Sequence, residues 1–210
     1  MIQLIKGDCL EVMKTIEDNS IDAIITDPPY GTTACKWDSV IDFDAMWEQL
    51  NRIIKPNGAI VLFGSEPFSS ALRMSNIKNY KYDWIWKKTR AANPMLAKKQ
   101  PLKISENISI FYKKQCLYNR QMEVVKGVGR DRRKEKSIGT FTENTITTKS
   151  VCGYAKDYNP NLRNPKNIIE IKSIIGKQHP TQKPVLLMEY LIKTYTNENE
   201  TVLDFTMGSG

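Results

Sequence analysis

Ile21-Asp22-Ala23-Ile24-Ile25-Thr26 runs directly into Asp27-Pro28-Pro29-Tyr30. The first six residues form a nearly continuous apolar run, the pattern of a strand buried on both faces of a parallel sheet. Two consecutive prolines stop it, because each fixes φ and lacks an N–H, so the strand ends in a rigid loop. Upstream, residues 2–7 (IQLIKG) read as a short strand, and residues 9–16 as a helix with Leu10, Met13 and Ile16 on one face. Strand, helix and strand make a βαβ unit. Downstream, residues 42–55 carry a helical pattern that Pro56-Asn57-Gly58 ends. Residues 59–63 (AIVLF) make another buried strand, 66–77 a short helix, and 82–87 and 107–112 two more strands. The alternation predicts a doubly wound α/β sheet. From about 113 to 165 the periodicity is lost in a polar, basic stretch rich in Gly, Asn and Thr, which reads as an irregular insertion. Order returns at 167–175. A helix follows at 185–195, with Leu186, Leu187, Tyr190, Leu191 and Thr194 on its buried side, and a strand at 201–205 runs into a glycine-rich turn ending at Gly210.

The chain has 210 residues, 40% hydrophobic and 26% charged, a globular mix able to bury one sizeable core. Four cysteines without a C-x-x-C pair argue against a disulfide framework and a zinc site, and a lone histidine, His179, is a poor metal ligand, so no metal is expected. Lys6 and Asp8 interrupt the first apolar run, and no apolar stretch reaches membrane length. Reduced thiols, a cytoplasmic location and no membrane partner are the expectation. The net charge of +8 is uneven: residues 1–77 carry 6 basic and 11 acidic side chains, 78–136 carry 17 and 5, and 137–210 carry 8 and 7. Such a basic block suits a polyanion, most often nucleic acid, although a solvated face would look the same.

Three motifs bear on chemistry. Asp27-Pro28-Pro29-Tyr30 sits at the carboxyl end of a buried strand, where ligands bind in open α/β sheets. A rigid loop there can offer a carboxylate, a backbone carbonyl and an aromatic face together, a set suited to an exocyclic amine on a flat ring; the same residues would also serve as a plain strand-ending turn with Tyr30 in the core. Asp204-Phe205-Thr206-Met207-Gly208-Ser209-Gly210 is a strand and a glycine turn that lets a ligand approach the backbone, without the G-x-G-x-x-G spacing of a dinucleotide site. His179-Pro180-Thr181-Gln182-Lys183-Pro184 leads into a helix, where Thr181 and Lys183 could reach a carboxylate.

In this order the motifs resemble those of the β-type S-adenosylmethionine-dependent DNA amino-methyltransferases, along nearly the whole chain. Gly7-Asp8-Cys9-Leu10 and Ser105-Glu106-Asn107-Ile108 belong to the same resemblance. It implies a Rossmann-like methyltransferase sheet in circularly permuted order: residues 1–112 as the catalytic half, 113–178 as the target-recognition region and 179–210 as the cofactor-binding segment. Asp27 and the carbonyl of Pro28 would grip the target amine in the tetrapeptide completed by Pro29, with Tyr30 stacked on an extruded base. Asp8 and Cys9 would lie near the cofactor's adenine, Thr181 and Lys183 at its methionine end, and Asp204, Phe205, Gly208 and Gly210 around the rest. Lys87, Lys88, Arg90, Arg130, Arg132 and Arg133 would hold phosphates of double-stranded DNA. In the family a helix and a further strand, lying between the strands at 2–7 and 201–205, follow the cofactor loop. The chain stops at Gly210, so the resemblance implies an incomplete cofactor segment.

The chemistry expected is direct transfer of a sulfonium methyl to an amine, without metal or covalent cysteine. Asp rather than Ser at position 27 favours adenine N6 over cytosine N4. An RNA or protein-glutamine substrate fits the basic block less well. A non-catalytic nucleic-acid-binding protein is the alternative of a different class. The target sequence and the oligomeric state, a homodimer among the options, are not legible.

Overall fold

The computed structural model describes residues 2–33, 35, 38–125, 159, 161–174 and 182–208. They belong to two compact units, Met1–Asn119 with Lys166–Gly210, and Arg120–Pro165.

In the larger unit, Asp8 caps the short helix α1 (Cys9–Met13) by accepting the N–H of Leu10 at 2.9 Å. Strand β1 (Ile21–Thr26) follows, then α2 (Phe43–Ile53), capped by Asp42, which accepts the Ala45 N–H at 2.8 Å. Next come β2 (Ile54–Gly64), α3 (Phe68–Ser75), β3 (Tyr80–Ala92) and β4 (Lys103–Phe111). The smaller unit supplies β5 (Glu123–Val124) and β6 (Leu162–Arg163), a two-stranded antiparallel ladder in which Val125 N–H donates to the Asn161 carbonyl at 2.8 Å. The larger unit resumes with β7 (Ile168–Glu170), α4 (Val185–Tyr195) and β8 (Val202–Leu203).

Six strands form one sheet in the order β7-β3-β4-β2-β1-β8. Neighbours β1 and β2, β1 and β8, and β3 and β7 run parallel; β4 runs antiparallel to both β2 and β3. The α/β class is as expected, and the sheet is mixed. Strand β2 shows the double winding at residue level. Ala59, Val61 and Phe63 pack with α4 residues Leu187, Leu191 and Tyr195 on one face, while Ile60 and Leu62 pack with α2 and α3 residues on the other. Two buried faces explain why the run is apolar at every position. A hydroxyl network ties α4 to β3: Trp84 Nε1 donates to the Tyr195 hydroxyl at 2.7 Å, and the Tyr82 and Tyr195 hydroxyls lie 2.9 Å apart.

Four expectations are corrected. Residues 2–7 form no strand, and Ile2, Leu4 and Ile5 are exposed. Among the described residues β8 is the outermost strand on that side of the sheet and pairs with β1 alone, so residues 2–7 have no ladder partner, and a peptide segment without one gains nothing from extended geometry. Pro56-Asn57-Gly58 does not end a helix: α2 stops at Ile53, β2 begins at once, and the three residues form an irregularity in the register of β2 against β1. A Cβ on Gly58 would lie 2.7 Å from the Asp22 carbonyl oxygen and 2.6 Å from Ile54 Cδ1, so the close approach of the two strands requires glycine. Strands β3 and β4 outrun their expected bounds, since their polar ends are held by ladder pairing rather than burial. Leu186 is 66% exposed, because the buried stripe of α4 runs through Leu187, Leu191, Thr194 and Tyr195 and Leu186 lies about 100° round the helix.

Candidate active site

The loop after β1 is built around one buried carboxylate. Asp38 accepts the backbone N–H groups of Tyr30 (2.8 Å) and Gly31 (2.9 Å) on Oδ1, and those of Thr32 (2.9 Å) and Thr33 (2.7 Å) on Oδ2. Its side chain is buried, which pushes its pKa up, but hydrogen bonds from the Thr33 side chain and these N–H groups outweigh burial and hold it below the ordinary carboxylate value. Gly31 takes φ 66°, the left-handed turn that lets successive N–H groups converge.

This loop fixes Asp27 and Tyr30. Asp27 Oδ1 accepts the Tyr30 hydroxyl and Oδ2 pairs with Lys183 Nζ. The Tyr30 ring stacks on Phe68 at 5.1 Å, so one of its faces is already covered. Burial, then the charge of Asp27, pushes the Tyr30 phenol well above its usual value, and it stays a donor. Lys183, just before α4, is 9% exposed at its side chain and lies 3.5 Å from Glu106 Oε2. Glu106, in β4, pairs through Oε1 with Lys88 of β3. Burial pushes the Glu106 carboxyl up, but the charges of Lys183 and Lys88 outweigh it and hold it below the usual range.

Beside Asp27 stands the turn after β8. Because β8 pairs with β1, Asp204 is adjacent to Thr26, whose hydroxyl donates to Asp204 Oδ1. Thr206 joins the two loops: its N–H reaches Asp204 Oδ1 at 3.0 Å, and its Oγ1 lies 2.5 Å from Thr26 Oγ1 and 3.1 Å from the Asp27 carbonyl oxygen, to which it donates. Burial holds the Asp204 carboxyl above its ordinary value, an effect that hydrogen bonds from the Thr26 hydroxyl and Thr206 N–H only partly offset. Gly208 takes φ 65°, and a Cβ there would meet nothing within 4 Å.

Together these loops line a cavity of about 930 Å³. Of the residues singled out from sequence, Asp27, Pro28, Pro29, Tyr30, Cys9, Lys183, Phe205 and Gly208 line it. Asp8 caps α1 behind Cys9, and Asp204 sits behind Thr26. Of the residues expected on phosphates, Lys88 instead lines the cavity against Glu106, Lys87 pairs with Glu170 at 2.9 Å, and Arg90 is exposed. Thr181, Gly210, Arg130, Arg132 and Arg133 lie outside the described residues. The sequence reading gave no role to Asp38, Glu106 or Thr206. A second acid eleven residues after Asp27, beyond a glycine, was the available signal for the first. Among the described residues no group of three His, Cys, Asp or Glu side chains could hold a metal ion, and no helix is long and apolar enough to cross a membrane.

The family model for N6/N4 DNA methylases matches residues 21–210, a span that contains both loops of the cavity. The chain belongs to the N6/N4 DNA methylase family. Among curated relatives, the chain is 29% identical to the type II methyltransferase M.HpaI of Haemophilus parainfluenzae, over 99% of its own length and 64% of the relative's. The chain spans about half to two thirds of the length of the type II methyltransferases first matched, M.HpaI included. Two solved structures share its fold. The complex of M1.HpyAVI with SAM superposes at a TM-score of 0.57, with 23% identity over 99% of this chain and 86% of the other. The cytosine-N4-specific PvuII DNA methyltransferase superposes at 0.62, with 16% identity over 96% and 74%.

Proposed function

We propose that this DNA methylase chain carries the amine-gripping and methyl-donor sites of a site-specific DNA methyltransferase that transfers a methyl group from S-adenosylmethionine to N6 of adenine. The observation that carries the reading is Asp27, a carboxylate on a rigid loop, joined through Thr206 to a glycine turn open to a ligand. The residues suit S-adenosylmethionine: the backbone at Gly208 is unobstructed, Phe205 and Met207 supply apolar wall, and the cavity is large enough for it and a base. Cys9, Lys183, Phe205 and Gly208 would hold it, and when bound it supplies an electrophilic methyl group on a sulfonium.

The remaining work falls to the chain. A ring-conjugated amine is a weak nucleophile because its lone pair is delocalised. Asp27 and the Pro28 carbonyl accept hydrogen bonds from its two hydrogens, draw the nitrogen toward a pyramid and localise the pair for in-line attack, in which the N–C bond would form as the S–C bond breaks, a neutral thioether would leave and the amine's surplus proton would pass by way of Asp27 to solvent. A carboxylate offers about four acceptor sites, so Asp27 can take an amine hydrogen beside its bond from Tyr30. The base must leave the duplex to reach the cavity, at a cost of a few kcal/mol recovered partly by stacking. The basic stretch within 113–178 is proposed as the target-recognition region, and Arg90, Arg130, Arg132 and Arg133 as phosphate contacts. Asp at position 27 supports adenine.

Incubation of duplex DNA with labelled methyl donor, followed by digestion to nucleosides, tests the reading. Labelled N6-methyladenine is expected. Labelled N4-methylcytosine would transfer the reading to cytosine, and DNA retention without labelled base would favour a binding protein. A smaller effect is expected at Thr206. Thr206→Val removes the hydroxyl that joins the two loops and should slow transfer about tenfold, while Thr206→Ser stays near wild type; equal rates for all three would detach Thr206 from the reaction.

A further inference from the structure

We infer that Glu106 receives the α-ammonium of the methyl donor's amino-acid end, an inference that rests on the methyl-transfer reading. The Glu106 side chain is 13% exposed and faces the cavity from β4. Its Oε1 is engaged by Lys88, whereas Oε2 has no hydrogen-bond donor among the described residues. Lys183 Nζ, at 3.5 Å, neutralises part of the charge but lies at the far limit of hydrogen-bond distance, because it is drawn to Asp27 Oδ2. A buried carboxylate oxygen without a donor is costly, and the cost is removed when a ligand supplies one.

The surroundings say which donor fits. An ionised oxygen facing a cavity makes its strongest bond with a cation. The lysines hold the Glu106 carboxyl below its usual range, so it is ionised at neutral pH. The same wall carries the Lys183 ammonium, so the entering cation must bring an anion with it. An α-amino acid end carries both groups on one carbon. The amine of a base is neutral, and in the proposed reaction it already has Asp27 and the Pro28 carbonyl as acceptors.

Calorimetric titration with two ligands tests this. S-adenosylhomocysteine has the amino-acid end, and 5′-methylthioadenosine lacks it. Glu106→Gln keeps the shape of the side chain and removes its charge. The variant should bind S-adenosylhomocysteine about tenfold or more weakly and methylthioadenosine nearly as wild type does, the size expected for one charge-assisted bond. Independently of any variant, the wild-type chain should bind S-adenosylhomocysteine without its α-amine about tenfold more weakly than the intact molecule. Equal loss for both ligands, no loss for S-adenosylhomocysteine, or indifference to the α-amine would each overturn the role of Glu106 while leaving methyl transfer standing. A wild-type chain that binds neither ligand would overturn the methyl-donor reading and this inference with it.

Discussion

Asp27→Ala is expected to slow methyl transfer by about 10²–10³-fold, the usual cost of deleting one group that stabilises a transition state. The argument is geometric. Asp27 stands at the mouth of β1 on a loop that two prolines and four hydrogen bonds to Asp38 keep rigid, so no neighbouring acid can move into its place. Glu106 is committed through Oε1 to Lys88 and is held in β4, with Lys183 standing between it and Asp27. Cofactor affinity should fall less than the rate, because the Asp204–Gly208 turn is intact in the variant and Lys183, which loses its Asp27 partner, keeps Glu106 beside it. Single-turnover rates with saturating DNA and donor, beside calorimetric affinity, separate the two effects. Turnover at the wild-type rate would remove Asp27 from the chemistry. A proportionate loss of rate and cofactor affinity would make it a residue of the fold.

Asp38→Ala should destabilise the larger unit by about 2–4 kcal/mol, because four backbone N–H groups lose a shared ionised acceptor. For a chain of this size that is a fall in melting temperature of roughly 4–15 °C. The pH dependence has a definite sign. The Asp38 carboxyl is held below its ordinary value of 3.8 in the fold, so its contribution is complete above that value and is lost as pH falls through the lower folded value. Melting curves of wild type and variant should therefore stay parallel from neutral pH to about pH 4 and converge below it. A gap that persists unchanged under acid would mean that Asp38 acts through packing rather than charge.

Much of this architecture could be read from the chain. The apolar runs at 21–26 and 59–63 found their strands because burial on both faces leaves no other pattern. The helix at 185–195 was found to the residue, since Pro184 precedes it and the β-extended Thr196 ends it. Asp27-Pro28-Pro29-Tyr30 was legible as a strand-ending loop because proline acts on its own backbone. What local sequence does not encode is partnership. The antiparallel insertion of β4 between β2 and β3 depends on pairing choices made across the sheet. Lys88 was read as one more cation in a basic block, yet it sits between β3 and the buried Glu106, a neighbour eighteen residues away. Asp38 belongs to no motif, and Thr206, though inside the Asp204–Gly210 stretch, has nothing local to set it apart: one is an acid after a turn, the other a threonine between larger residues, and each matters only through loops that the fold brings beside it.

The hydroxyl link between Thr26 and Asp204 spans 178 positions of sequence. During synthesis the first of these residues leaves the ribosome long before its partner exists, by roughly 10–40 s at ordinary elongation rates. Throughout that interval Asp27 has no Asp204–Gly208 turn beside it, and β1 lacks one flank. The candidate site is therefore among the last parts of the larger unit to be assembled. Contacts of such long range close slowly, because chain entropy must be spent before they form. A growing chain can acquire most of its apolar sheet early, but the two loops of the candidate site meet only once β8 and its turn have been made.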